Sequence, residues 1–132
     1  MADKFILALL GHLVGDYITQ WKYMALHKSD KNWAGVWICS LHAIIYAAAV
    51  CLFWQTYSPV TFLAVCIPHW VIDRWSLANT WLSLIRGRTF QAAHASKDTY
   101  REFDIAFTSI VYTVTDNTFH LLSLYLVIIY LL

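Results

Sequence analysis

Four apolar stretches, each about 20 residues long, recur along the 132-residue chain and limit what it can fold into. They cover residues 4–24, 34–54, 60–85 and 105–131. At a rise of about 1.5 Å per residue, each stretch is long enough to cross about 30 Å of hydrocarbon as an α-helix. The stretches lack the two-residue alternation of a transmembrane strand. The sequence therefore predicts an all-α protein, a four-transmembrane-helix bundle that forms a single integral membrane domain over residues 1–132.

The overall composition agrees with contact with a lipid bilayer. Hydrophobic residues make up 60% of the chain and charged residues only 13%, whereas soluble domains carry about 25% charged residues. The net charge of +1 provides no basic field to hold a polyanion, so we expect no nucleic-acid partner. Cys39, Cys51 and Cys66 lie far apart inside apolar stretches, which favours packing roles over a disulfide framework.

The distribution of lysine and arginine predicts the orientation of the bundle. The two ends of the chain and the short connection after the second stretch lie on one side of the predicted bundle. That side carries only Lys4. The connections after the first and third stretches and their flanks hold seven basic residues, namely Lys22, Lys28, Lys31, Arg86, Arg88, Lys97 and Arg101. The positive-inside rule therefore places these two connections in the cytoplasm and both termini on the outer side of the inner (cytoplasmic) membrane, in a multi-pass topology. Residues 86–104 contain few helix breakers after Gly87, which favours an amphipathic helix along the membrane surface.

The strongest functional signal is a set of ionisable residues inside the apolar stretches. An ionised aspartate at mid-bilayer costs at least about 2.5–3.5 kcal/mol, so such residues are expected to find partners or a cation. Three stretches carry a histidine and an aspartate four residues apart, a spacing that places both on one helical face. The full set is His12, Asp16, His42, His69, Asp73, Asp116 and His120.

These seven side chains are predicted to meet near the centre of the membrane. Each lies within about three positions, or about 5 Å, of the middle of its apolar stretch. Imidazole and carboxylate ligands together suit Zn²⁺, Mn²⁺ or Fe²⁺. Seven candidates are more than one tetrahedral zinc requires; they suit two ions, or one ion with further groups that orient the imidazoles. We therefore predict a divalent metal site, with Asp16, Asp73 and Asp116 as the catalytic carboxylates.

Short motifs at these residues carry a resemblance to known proteins. They are Leu10-Gly11-His12-Leu13-Val14-Gly15-Asp16-Tyr17 followed by Gln20, His27-Lys28-Ser29, Leu41-His42-Ala43, His69-Trp70-Val71-Ile72-Asp73, and Asp116-Asn117 with His120. With these motifs the chain resembles an uncharacterised family, a domain of unknown function found in small bacterial and phage integral membrane proteins. The resemblance implies an integral membrane protein with polar intramembrane motifs. The pattern is also loosely similar to membrane-bound metal-dependent hydrolases, although their His-Arg-x-x-Thr-His-Ser element is absent.

The first functional hypothesis is a metal-dependent membrane hydrolase. A bound metal would activate water against a phosphorylated small molecule or a lipid-linked substrate. No GxSxG element is present, which favours water as the nucleophile. The candidate residues for binding a substrate phosphate are Arg74, Arg86 and Arg88.

Two alternatives remain open at the level of sequence. Histidine and aspartate at mid-membrane also describe a metal-ion or proton-coupled transporter or channel, which with only four spans would require a homo-oligomer. In the other alternative the polar residues only hold the helices together, in a structural protein or a phage-encoded inhibitor of a host membrane complex. Metal content and the effect of alanine substitutions distinguish these alternatives from an enzyme.

Overall fold

The computed structural model describes residues 2–132, and the prediction of an all-α protein is confirmed. Within these residues there are seven α-helices, one π-helical turn and no strand. The α-helices are α1 (Ala2–Leu13), α2 (Lys22–His27), α3 (Trp33–Trp54), α4 (Pro59–Arg74), α5 (Leu77–Arg86), α6 (Phe90–Ala95) and α7 (Arg101–Leu131). The π-helical turn, Val14–Ile18, continues directly from α1.

Two of these helices, α3 and α7, are each long and apolar enough to cross a membrane. The predicted stretch 60–85 is divided into α4 and α5, because Ser76 adopts a left-handed conformation with φ of 46°. The predicted stretch 4–24 is divided after the π-helical turn. There the Gln20 side chain donates a hydrogen bond to the Asp16 carbonyl at 3.0 Å. In a continuing helix, the Asp16 carbonyl would accept a hydrogen bond from the Gln20 backbone N–H. Here it accepts one from the Gln20 side chain.

Local capping sets the boundaries of the two central helices. The Asn32 side chain accepts a hydrogen bond from the Gly35 backbone at 2.8 Å and begins α3. Gln55, with φ of 52°, ends α3 in the left-handed conformation common at helix C-termini. Ser58 then caps α4, whose first residue is Pro59. A short connection therefore turns α3 back into α4.

The described helices form two compact units. The first unit comprises the described residues up to Trp75 together with His120–Leu132, and the second comprises Ser76–Phe119. Apolar side chains from α1, α3, α4 and the last part of α7 form the core of the first unit: Ala8, Tyr46, Ala47, Val50, Val65, Leu124, Val127 and Ile128. Within the second unit, Trp81 packs edge-on against Phe119, and Phe90 packs against Tyr112.

Two glycines allow the first helical segment to approach α3 closely. A Cβ atom on Gly11 would lie 2.8 Å from the Val50 Cα, and one on Gly15 would lie 3.0 Å from the Tyr46 Cα. Both neighbours are backbone atoms, so a change of side-chain rotamer cannot relieve the contact. The small-x3-small spacing of the two glycines therefore brings the backbone around His12 against α3.

We expect Gly11→Val to destabilise the first unit by about 1–3 kcal/mol, because the added carbons overpack a backbone contact. Denaturation in detergent, followed by circular dichroism, measures the effect. Leu10→Val is the matched control, since Leu10 is 43% exposed and its change should stay within about 0.5 kcal/mol. Equal stability of the two variants would contradict the close approach.

The first unit has an apolar exterior and a polar centre. Trp37 is 74% exposed and Leu52 is 66% exposed, whereas His42 and His69 are completely buried. Soluble proteins have the opposite arrangement, with charged and polar side chains mostly at the surface. The distribution agrees with an exterior that faces lipid.

Hydrogen bonds at one end of the first unit bring the two ends of the described chain together. The Lys4 ammonium donates to the Leu132 carbonyl, and the Trp54 indole donates to the Lys4 carbonyl at 2.9 Å. The beginning of α1 therefore lies beside the end of α3 and the end of α7. At the end of α4, Arg74 donates to the Ser29 carbonyl at 3.1 Å.

Candidate metal centre

Four buried side chains of the first unit direct their polar atoms to one point. Asp16 lies in the π-helical turn, His42 in α3, and His69 and Asp73 one turn apart in α4. One ligand atom from each of the four lies within 4.8 Å of all the others. Because π-helical turns widen a helix locally and recur at functional sites, this turn aims a carboxylate that a regular helix would direct elsewhere.

The distances among these atoms would allow them to hold a metal ion. The His42 Nε2 lies 3.1 Å from the Asp16 Oδ1, 3.1 Å from the Asp73 Oδ2 and 3.0 Å from the His69 Nε2. The His69 Nε2 lies 3.1 Å from the Asp73 Oδ2 and 3.9 Å from the Asp16 Oδ1. For metal–ligand bonds of about 2.0–2.1 Å, the corners of a tetrahedron lie about 3.3–3.4 Å apart. The four atoms therefore fit a zinc-sized cation.

One hydrogen bond per ring nitrogen accounts for only part of this convergence. The His42 Nε2 also lies 3.3 Å from the Gln20 amide nitrogen and 3.4 Å from the Lys28 ammonium. A single ring nitrogen makes one hydrogen bond, yet five polar atoms surround this one. Among residues 2–132, the Nδ1 atoms of His42 and His69 have no hydrogen-bond partner, so both imidazoles make their polar contacts through Nε2.

The two carboxylates are directed toward histidines on both sides. The Asp16 Oδ2 lies 3.8 Å from the His12 Nδ1 and 3.9 Å from the His120 Nε2. The Asp73 Oδ1 lies 3.5 Å from the His120 Nε2. Each aspartate therefore presents one oxygen to His42 and His69 and its other oxygen to the remaining imidazoles. Carboxylates in this position are able to bridge two cations.

Lys28 is a member of the cluster that the sequence analysis did not include. Its ammonium lies 2.8 Å from the Asp73 Oδ2 and 3.9 Å from the Asp16 Oδ1, and its side chain is 12% exposed. The ammonium provides a counter-charge for two buried carboxylates, whose burial without one would be costly. The only earlier signal was the motif His27-Lys28-Ser29, which lies outside the apolar stretches.

Tyr46 and Gln20 also belong to the cluster and were missed. The Tyr46 ring stacks on His69 with centroids 3.5 Å apart, and its hydroxyl lies 3.1 Å from the His12 Nδ1. Gln20 contacts the Asp16 Oδ1 at 3.4 Å. The available signal was spacing, because Tyr46 follows His42 and Gln20 follows Asp16 by four residues. These contacts position the imidazoles and one carboxylate of the cluster.

Six of the predicted site residues lie together in the first unit: His12, Asp16, His42, His69, Asp73 and His120. Asp116, Arg86 and Arg88 belong to the second unit, and the catalytic role of Asp116 stays a prediction. Arg74 donates to the Ser29 carbonyl and so ties the end of α4 to the loop that carries Lys28.

The chain belongs to the family described as protein of unknown function DUF3307, whose family model matches residues 4–132. The predicted resemblance to a family of unknown function is thus confirmed over nearly the whole chain. A search of the curated proteins and a search of the solved structures each gave no match. Because the family description names no activity, the function has to be argued from the geometry of the cluster.

Proposed function

We propose that the protein is a metal-dependent hydrolase embedded in the inner membrane. In this proposal Asp16, His42, His69 and Asp73 bind a divalent cation, Zn²⁺, Mn²⁺ or Fe²⁺. The observation that carries the proposal is the convergence of their four ligand atoms, all within 4.8 Å of one another, in the buried centre of the first unit. Two carboxylates neutralise the charge of one such ion, which makes its burial tolerable.

The membrane part of the proposal rests on the exterior and the ends of the first unit. Two helices have the length and hydropathy to cross a bilayer, and large apolar side chains cover the outer surface. The contact between Lys4 and Leu132, near the two ends of the described chain, supports a topology with an even number of crossings. A four-span topology with both termini outside is of this kind. In that topology Lys28 and Arg74 lie on the cytoplasmic side, where basic residues are favoured.

A second cation is proposed on the other face of the same carboxylates. The Asp16 Oδ2, the Asp73 Oδ1 and the His120 Nε2 provide its ligands, and His12 lies beside them. Helix-bundle proteins with inward carboxylates and histidines hold paired metals in this way. A pair of cations held by these residues would supply positive charge to both the attacking and the leaving oxygen of a displacement.

The hydrolytic part of the proposal follows from the cation, the carboxylates and Lys28. Asp16, His42, His69 and Asp73 would hold the cation, which when bound would supply an activated water and polarise a phosphoryl oxygen. The carboxylates of Asp16 and Asp73 would be the candidates to accept the proton of such a water. Lys28, at the least buried edge of the cluster, offers an ammonium to an anionic oxygen of a phosphorylated or lipid-linked substrate.

Metal analysis of the purified protein tests the proposal. We expect the wild-type protein, purified in detergent without chelator, to retain one to two equivalents of a transition metal by elemental analysis. His42→Ala should lose this metal, whereas His94→Ala should retain it, because His94 lies in α6 of the second unit. At a free metal concentration of about 100 Kd, bound metal adds about 2.7 kcal/mol to stability, so chelation should lower the melting temperature.

Other outcomes of this experiment point to other functions. Metal retained by both variants, or by neither, would overturn the proposed centre. Weak, exchangeable metal together with metal flux in proteoliposomes would favour transport instead of hydrolysis. For the enzyme, phosphate release from a phosphate ester should depend on added metal and vanish in His42→Ala.

A further inference from the structure

The second unit contains a polar pocket that the metal centre does not use. The pocket has a volume of about 290 Å³ and is formed where α5, α6 and the first part of α7 meet. Its polar lining residues are Arg86, Arg88, Thr89, Ser96, Asp104 and Thr108. All of them belong to the second unit.

No ion pair joins the charged residues of this pocket to a partner in the described part of the chain. Within residues 2–132, neither arginine of the pocket has a carboxylate within salt-bridge distance, and Asp104 has no basic partner. The Arg88 guanidinium lies over the Phe107 ring at 4.6 Å, a cation–π contact that leaves its N–H groups available. Two cations and one anion therefore line the same cavity without an ion-pair partner.

Hydroxyl groups complete the lining. The Thr89 Oγ1 accepts a hydrogen bond from the Ala92 backbone at 3.0 Å, and the Ser96 Oγ accepts one from the Asp98 backbone at 3.2 Å. Both oxygens are thereby fixed in place, and their O–H groups remain free to donate. Guanidinium forks and hydroxyl donors are the groups that recognise a phosphate. The carboxylate of Asp104 would repel a simple anion but would attract an ammonium group.

We propose that this pocket binds the phosphoethanolamine head group of a membrane phospholipid. The phosphate diester would bind Arg86, Arg88 and the hydroxyls, and the terminal ammonium would bind Asp104. A lipid is favoured because α5, which ends at Arg86, exposes apolar side chains: Trp81 at 51%, Leu84 at 78% and Ile85 at 56%. An amphipathic helix of this kind lies at the level of lipid head groups.

Lipid exchange in mixed micelles tests the site without reference to metal. The purified protein is equilibrated with equal amounts of phosphatidylethanolamine and phosphatidylglycerol, and the retained lipid is quantified. We expect the wild-type protein to enrich phosphatidylethanolamine. The double variant Arg86→Gln, Arg88→Gln should retain at least about tenfold less of both lipids, as expected for lost hydrogen bonds to a charged group. Asp104→Asn should retain lipid without the preference for ethanolamine.

Controls separate this site from general electrostatic attraction. Lys97→Gln removes one positive charge from an exposed position outside the pocket lining and should behave as wild type. Soluble glycerophosphoethanolamine should displace the lipid, and inorganic phosphate at the same concentration should displace it much less. Equal retention of the two lipids by the wild-type protein would overturn the proposal, as would equal losses in Lys97→Gln. Because metal content is not measured, these outcomes are independent of the proposed hydrolase.

Discussion

Replacing Asp73 with asparagine is expected to abolish metal binding. This carboxylate contacts three imidazoles of the cluster: its Oδ2 lies 3.1 Å from both the His42 and the His69 Nε2, and its Oδ1 lies 3.5 Å from the His120 Nε2. Asparagine keeps the shape but removes the charge and one acceptor oxygen. Since removal of an outer-shell partner alone costs about 10–100-fold in metal affinity, we expect the loss of this ligand to exceed a hundredfold.

Titration with Zn²⁺ or Mn²⁺, followed by calorimetry on metal-free protein in detergent, measures this effect. Asp30→Asn is the matched control, because Asp30 pairs with His27 at 2.7 Å outside the cluster and should leave the affinity unchanged. Melting of each variant in chelator shows that the fold persists. If Asp73→Asn bound metal as tightly as the wild type, the site would not be where we place it.

Replacing Lys28 with methionine is expected to tighten metal binding by about 10–100-fold, the equivalent of one hydrogen bond between charged groups. The Lys28 ammonium contacts the Asp73 Oδ2 at 2.8 Å, so it competes with a metal ion for the same oxygen. Without the ammonium, the two buried carboxylates lose their counter-charge, and the metal-free protein should become less stable. Lys28→Met should therefore lower the stability of the metal-free protein and raise its affinity for metal.

A comparison with Lys31→Met tests whether the effect belongs to the cluster. Lys31 lies exposed in the same loop as Lys28. The change Lys31→Met removes the same charge but should leave metal affinity unchanged. If Lys28 also receives the anionic oxygen of a substrate, Lys28→Met should bind metal more tightly and yet show a raised KM for a phosphate ester. Weaker metal binding in Lys28→Met would show that the ammonium supports the site instead of competing for it.

Much of the candidate site was predictable from spacing along single helices. A separation of four residues placed His69 and Asp73 on one face of a helix, and in the structure their nearest side-chain atoms lie 3.1 Å apart. The cost of a charge in an apolar segment likewise predicted that the carboxylates would be buried with partners. His12 and Asp16 are also four residues apart, but Asp16 lies in the π-helical turn, and the two side chains have different main partners. His12 contacts the Tyr46 hydroxyl, while one oxygen of Asp16 faces His42.

The sequence by itself determined that the chain is helical, that several helices are apolar along their length, and that histidines and aspartates lie inside them. These properties depend on residue type and on distances of a few residues along the chain. Only the tertiary structure decided three contacts. The π-helical turn packs closely against α3 at Gly15, and Lys28, in the loop after α2, contacts Asp73. Each carboxylate also has imidazoles near both of its oxygens. Such contacts join residues 26 to 104 positions apart, and their distances depend on how whole helices pack.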